Sequence, residues 1–192
     1  DIQKVVAFLR DKGIGVLIDA WRKVGDRLPL RIVGDGPLRE QVQQAAAELP
    51  GVSWLGRLGD PHMWDTLAEA AFLIVPSLTY EGFPRVIVES YCVGTPVLAS
   101  RQGALQEWVI DGRTGLHVTP GSPDDLAEKS LALFSDEAKQ AAMRKASREL
   151  YEEQLSPDTN YQMLMSIYAA AQARRSTATA GAAVVPAAPV KA

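Results

Sequence analysis

Ala71-Phe72-Leu73-Ile74-Val75, running into Pro76-Ser77-Leu78-Thr79-Tyr80-Glu81-Gly82-Phe83-Pro84-Arg85-Val86-Ile87-Val88-Glu89, is the stretch that decides the fold. The apolar run reads as a strand buried on both faces, as in a parallel sheet. A polar loop with one glycine follows. Pro84 then suits the first position of a helix, because its φ is preset for one. The same alternation extends outward in both directions. Candidate strands lie at 4–9, 28–33, 52–55, 71–75, 96–99 and 115–118, short and rich in Val, Ile and Leu. Helices are predicted over 14–24, 37–49, 61–70, 84–93, 103–110, 123–134, 136–153 and 157–174. Ile14, Leu17, Ile18, Trp21 and Val24 mark one face of the first. Ser122-Pro123-Asp124-Asp125 reads as an N-cap, a proline at N1 and acids in the first turn. Strands alternating with helices imply an α/β fold, a Rossmann-like doubly wound parallel sheet.

The composition suits one globular domain: 192 residues, 47% apolar and 22% charged. A net charge of −3 argues against an electrostatic grip on nucleic acid or anionic lipid. With Cys92 as the single cysteine, no internal disulfide forms and a cysteine zinc site is excluded. His62 and His117 are far apart in sequence, so no metal-ligand spacing is present. No apolar run approaches the ~18 residues of a membrane span and no export signal is visible, so a cytoplasmic location is expected. From Ser176 the chain turns to Ala, Thr, Gly, Pro and Val without periodicity. The expected organisation is a domain over 1–174 and a disordered tail over 175–192. The abrupt start at Asp1, almost directly before an apolar strand, reads as an excised domain.

Open parallel sheets bind ligands at the carboxyl ends of their strands. Three turns fall there. Gly34-Asp35-Gly36-Pro37-Leu38-Arg39 follows a strand, and its glycines let backbone approach a ligand closely. Arg39 stands where a dinucleotide fingerprint needs its third glycine, so the alternative is a plain strand-to-helix turn. Gly56-Arg57-Leu58-Gly59 reads alone as a turn. The acidic loop is the richest. The N–H groups of Arg85 and Val86, at a helix start, form an anion site with the dipole behind them. Glu81 can reach a sugar beside bound phosphates, and Glu89 can accept from vicinal hydroxyls. Alternatively, Glu81 partners the helix dipole and Glu89 pairs with Arg85 at (i, i+4).

The chain continues Gly94-Thr95-Pro96-Val97-Leu98-Ala99-Ser100, then Gly103-Ala104 and Asp111-Gly112-Arg113-Thr114-Gly115. Together with the acidic loop, Ile32-Val33-Gly34-Asp35-Gly36-Pro37 and Lys12-Gly13, this resembles the carboxyl-terminal domain of family-four (group 1) retaining glycosyltransferases of the GT-B fold, over roughly residues 5–174. The resemblance implies transfer of a sugar, of hexosyl type, from a nucleoside-diphosphate sugar to an acceptor with retention of configuration. It implies no bound metal and no other cofactor. Lys12 would neutralise the diphosphate and Glu81 would contact the donor sugar, as the catalytic pair. The amides of Arg85 and Val86 would hold the distal phosphate and Glu89 the ribose hydroxyls. Gly34, Gly36 and the Gly82-Phe83-Pro84 turn would line the nucleotide, and the backbone of Leu58 would face the base. One departure stands out. The family's Gly-Arg pair before the lysine is missing, and Arg10 stands in its neighbourhood as a substitute cation.

The resemblance further implies an amino-terminal acceptor domain, absent from this chain, which would leave the isolated piece inactive. Peripheral membrane contact would pass through that missing half. The terminal helix would cross back to it, exposing the stripe Tyr161, Leu164, Met165, Tyr168 and Ala171. Two other functions stay open: a nucleotide-sugar epimerase of the same fold, and a non-catalytic module that binds a nucleotide or another chain.

Overall fold

The computed structural model describes residues 4–8, 13–80 and 82–181, with backbone alone for 4–8 and 175–181. The strands are β1 (Lys4–Phe8), β2 (Leu30–Val33), β3 (Val52–Gly56), β4 (Ala70–Val75), β5 (Val97–Ser100) and β6 (Gly115–Val118). The helices are α1 (Ile14–Val24), α2 (Arg39–Glu48), α3 (His62–Ala68), α4 (Arg85–Cys92), α5 (Gly103–Trp108), α6 (Pro123–Phe134), α7 (Glu137–Leu150) and α8 (Pro157–Gly181). Every expected strand and helix is present. The ends differ where local geometry intervenes. Pro84 sits just before α4 as its cap, and α7 gives way to a π turn at Tyr151–Leu155. The described part of α8 runs to Gly181, past the point where the composition changes, because Ala and Thr without proline do not stop a helix.

The chain divides into two units, Asp1–Glu152 and Glu153–Ala192. In the first, all six strands join one sheet of order β3-β2-β1-β4-β5-β6, and every neighbouring pair is parallel. The register runs Val5 opposite Leu30, Val6 opposite Leu73 and Leu73 opposite Val97. β4 is buried from Ala70 through Ile74, and β5 is buried at all its residues. β3 alternates buried and exposed side chains instead, because it is an edge strand covered on one side. The helical face expected for α1 is buried, and Trp21 anchors it by donating its indole N–H to the Leu28 carbonyl at 2.9 Å. α1 packs on α2 and α6, and α4 packs on α3 and α7. Ser122 caps α6 as expected, accepting from the Asp125 N–H. Burial pulls the Asp125 carboxyl upward, but hydrogen bonds from Lys129 and the Thr119 N–H outweigh it and hold the group below its usual range.

A buried polar cluster ties the sheet to its loops. The Tyr91 hydroxyl donates to the Trp108 carbonyl at 3.1 Å and shares a 2.7 Å hydrogen bond with the Thr114 hydroxyl. Thr114 Oγ1 also accepts from the Ile110 N–H, and its carbonyl accepts from Ser147. Burial pushes the Tyr91 phenol far up, so it stays neutral and acts through hydrogen bonds alone.

In the second unit, α8 begins with Ser156 accepting from the Thr159 N–H at 3.2 Å. Tyr161, Leu164, Met165, Tyr168 and Ala171 are all exposed. Met163 and Ile167 are exposed too, so apolar side chains run around this helix rather than along one stripe. Among the described residues, no helix is long and apolar enough to cross a membrane.

Tyr91→Phe removes a fully buried hydroxyl and leaves two partners short of a bond. It is expected to lower stability by about 1–3 kcal/mol, read as a shift in the urea midpoint with unchanged slope.

Candidate functional site

The strand order reverses between β1 and β4, and at such a reversal an open parallel sheet offers a crevice at the carboxyl ends of its strands. The acidic loop leaves β4 at this end of the sheet. Lys12, Arg10 and Glu81 lie outside the described residues. Gly13, next to Lys12, and Tyr80 and Gly82, on either side of Glu81, are described. Gly13 has φ +104°, and a Cβ there would stand 1.8 Å from the Pro76 carbonyl oxygen. The turn that follows Lys12 is thus packed backbone to backbone against the first residue of the loop that leads to Glu81. Only glycine permits both the positive φ and the approach.

Beyond this approach, the acidic loop is held largely by polar contacts. Ser77, itself buried, accepts from the Thr79 N–H at 3.4 Å and donates to the Thr79 carbonyl at 3.1 Å. Gln102, just before α5, donates its side-chain amide to the carbonyls of Ser77 (2.7 Å) and Thr79 (3.1 Å). Gly82 is exposed. Phe83, half exposed, sets its ring edge-on to Trp108 with 5.2 Å between centroids. Pro84 has φ −83° and ψ 88°, and the Arg85 N–H turns back to the Phe83 carbonyl at 3.1 Å. That is an inverse γ-turn. Of the two amides expected to be open, Arg85's is therefore engaged. Val86 occupies the first turn of α4, where helical N–H groups lack an intrahelical acceptor.

Glu89 is on the second turn of the same helix and is mostly buried, with 16% of its side chain exposed. Its Oε1 accepts from the Arg85 guanidinium at 3.1 Å. The ion pair proposed as the alternative therefore forms. It occupies one carboxylate oxygen, and Oε2 has no partner among the described residues.

The remaining two turns meet beside this crevice. The Gly34 N–H donates to the Gly56 carbonyl at 2.7 Å, and the Gly34 carbonyl accepts from the Trp54 indole at 2.9 Å. Gly36 donates its N–H to Asp35, and its carbonyl accepts from the Arg39 N–H, which opens α2. The structure thus brings the Gly34–Gly36 turn against the turn that carries Leu58, which is half-buried. An open recess of about 400 Å³ lies next to it, lined by Asp35, Arg39, Trp54, Leu55, Gly56 and Arg57. The Arg39 guanidinium lies 4.9 Å from the centre of the Trp54 ring. Sequence reasoning did not single out Trp54, Arg39 as a stacked pair, or Gln102. A tryptophan in a strand that runs into a glycine turn was the available signal for the first; nothing local marks Gln102. Among the described residues, no group of three His, Cys, Asp or Glu side chains is placed to hold a metal ion.

Known proteins share this architecture. The family description "Glycosyl transferases group 1" matches residues 4–136. An uncharacterised glycosyltransferase of Methanocaldococcus jannaschii is 36% identical over 135 residues, 69% of this chain and 38% of that protein. The phosphatidyl-myo-inositol mannosyltransferase of Mycobacterium tuberculosis is 37% identical over 127 residues, 63% of this chain and 32% of that one. The chain thus spans about a third of the length of the curated relatives it matches. A solved structure of an Anabaena protein in complex with UDP-glucose superposes with a TM-score of 0.75 at 26% identity, covering 86% of this chain and 48% of that one. The fold is α/β and Rossmann-like, and its structural neighbours are GT-B glycosyltransferases.

The Gly13 contact yields a paired test. Gly13→Ala meets both an unfavourable φ and the Pro76 carbonyl, and is expected to cost about 2 kcal/mol or more. Gly15→Ala, two residues on in α1 with nothing within 4 Å, is expected to raise stability by about 0.5–1 kcal/mol. Thermal unfolding of both variants checks the contrast.

Proposed function

This chain belongs to the group 1 glycosyl transferases, and on that premise we propose that it is the donor-binding, carboxyl-terminal half of a retaining enzyme. The reaction moves a sugar from a nucleoside-diphosphate sugar to an acceptor held by a second, amino-terminal domain. The reading places the enzyme in the cytoplasm, with any peripheral membrane contact made through that second domain. The observation that carries the reading is the meeting at the β1/β4 reversal of Gly13 with Pro76, the first residue of the loop that joins β4 to α4.

In this reading the bond between the anomeric carbon and the diphosphate breaks, and negative charge develops on the distal phosphate oxygen. Fixed cations and backbone N–H groups stabilise that charge without reorganising as it forms. Lys12, with Arg10 as the second cation, supplies the positive charge. The first turn of α4, at Val86 and Arg85, supplies N–H groups and the dipole. The Arg85 amide leaves its γ-turn partner to take part, exchanging one acceptor for a charged one. Glu81 contacts the sugar. Glu89 keeps Arg85 on one oxygen and offers the other to the ribose hydroxyls. Leu58, Gly34 and Gly36 bring backbone close to the base and ribose, and Gly82, Phe83 and Pro84 close the phosphate side. The Anabaena protein crystallised with UDP-glucose supports a nucleotide sugar as the donor class. The division of labour predicts that this chain alone binds the donor without transferring its sugar.

Glu89→Gln keeps the side-chain shape and removes the charge that strengthens hydrogen bonds to hydroxyls. The affinity for the best-bound of UDP, GDP and ADP should fall roughly tenfold or more, a loss of about 1.4 kcal/mol or more. Stability should change by under about 1 kcal/mol, since the exposed Arg85 end of the ion pair contributes little. Titration calorimetry and thermal unfolding measure the two. Unchanged nucleotide affinity would remove Glu89 from the site and leave the ion pair as its whole role.

A further inference from the structure

We propose that Gln102 is the positioning residue of the acidic loop, holding residues 77–80 in the arrangement that receives the donor sugar. The proposal rests on the donor-site reading above.

Gln102 ends the β5–α5 turn with extended backbone, φ −157° and ψ 149°. Its side-chain amide carries two N–H donors, and both are spent on this loop, on the carbonyls of Ser77 and Thr79. The residue after it completes the clamp. Gly103 has φ +51°, and a Cβ there would stand 2.8 Å from Cδ1 of Tyr80. The tyrosine ring, 82% exposed, therefore leans on a glycine that leaves room for it. Gly13 braces Pro76 at the other end. Residues 76–80 are thus fixed from two sides, by turns that follow β1 and β5, while containing no regular structure of their own.

A loop whose residues 78–80 are all exposed opens easily unless such contacts hold it. Held in advance, it does not pay the ordering cost when a ligand arrives. The effect of Gln102 is specific to one part of the donor. The phosphate contacts belong to the first turn of α4, which its own helix maintains. The loop that Gln102 holds leads directly into Glu81, the residue assigned to the sugar. Losing the clamp should therefore weaken the sugar's contribution and spare that of the diphosphate.

The test compares the full chain with Gln102→Leu, which has no donor, and Gln102→Glu, which keeps the shape but only accepts when ionised. Titration calorimetry is run with UDP, GDP and ADP, and with UDP-glucose, GDP-mannose and ADP-glucose. The unsubstituted chain should bind one sugar nucleotide more tightly than its diphosphate. Both variants should lose that gain, while diphosphate affinity stays within about threefold, a change of about 0.6 kcal/mol. Hydrogen exchange at the amides of Leu78, Thr79 and Tyr80 should accelerate, and exchange in β4 should not. Three outcomes overturn the proposal: variants that keep the gain, variants that weaken diphosphate and sugar nucleotide in equal proportion, or an unsubstituted chain that shows no gain. If the unsubstituted chain binds none of the diphosphates, the donor-site reading itself fails and this inference falls with it.

Discussion

At Gly13 the backbone passes so close to Pro76 that one added methyl group would sit 1.8 Å from a carbonyl oxygen. That approach depends on β1 and β4 being neighbours in a parallel sheet, although they are separated in sequence by β2 and β3. The carboxyl ends of the two strands lie side by side, at the same end of the sheet, because both strands run the same way. In an antiparallel pairing they would leave at opposite ends. The crevice, the neighbouring helix start and the convergence of the β1 and β4 turns all descend from this one adjacency.

Stability and site are built from different materials. The interior is apolar: β4 and β5 are buried along almost their whole length, and the α1 face with Trp21 closes over the sheet. The carboxyl edge is polar and held by single hydrogen bonds: Gly34 to Gly56, Trp54 to Gly34, Ser77 within its own turn, Gln102 across to the loop. Between the two lies the Tyr91, Thr114 and Ser147 cluster, where fully buried hydroxyls are paired with carbonyls or with each other. A buried hydroxyl left unpaired costs more than a paired one gains, so this cluster favours one arrangement of α4, α5 and the β6 approach over looser ones.

On α4 a local interaction falls on the residues to which the donor-site reading gives a role. The Arg85–Glu89 pair follows from (i, i+4) spacing on any helix. Here the glutamate end is shielded and the arginine end is not, so the pair fixes the carboxylate through one oxygen and leaves the other without a partner among the described residues. The inverse γ-turn at Pro84 does something similar for the Arg85 amide, pairing it with the Phe83 carbonyl.

The sequence by itself determined the strands, the helices and the motif. Continuous apolar runs identify strands buried on both faces, as at Ala71–Val75, and helical spacing identifies the α1 face, as the burial of Leu17, Ile18 and Trp21 shows. Ser122 announced its cap because a capping bond spans three residues and needs nothing distant. The limits follow from the same reasoning. Edge strand β3 departs from the buried pattern because sheet order, not composition, decides which strand lacks a neighbour. The engaged amide at Arg85 depends on a ψ value at Pro84 that residue identity leaves free, since proline presets φ alone. The hold of Gln102 on Ser77 and Thr79 spans 25 and 23 residues, and the stacking of Arg39 on Trp54 joins a helix to a strand. Such contacts exist only once the parallel order has set the strand ends side by side. Local sequence encodes which residues avoid water and which turns they can make; which loops then touch is set by the packing of the whole sheet.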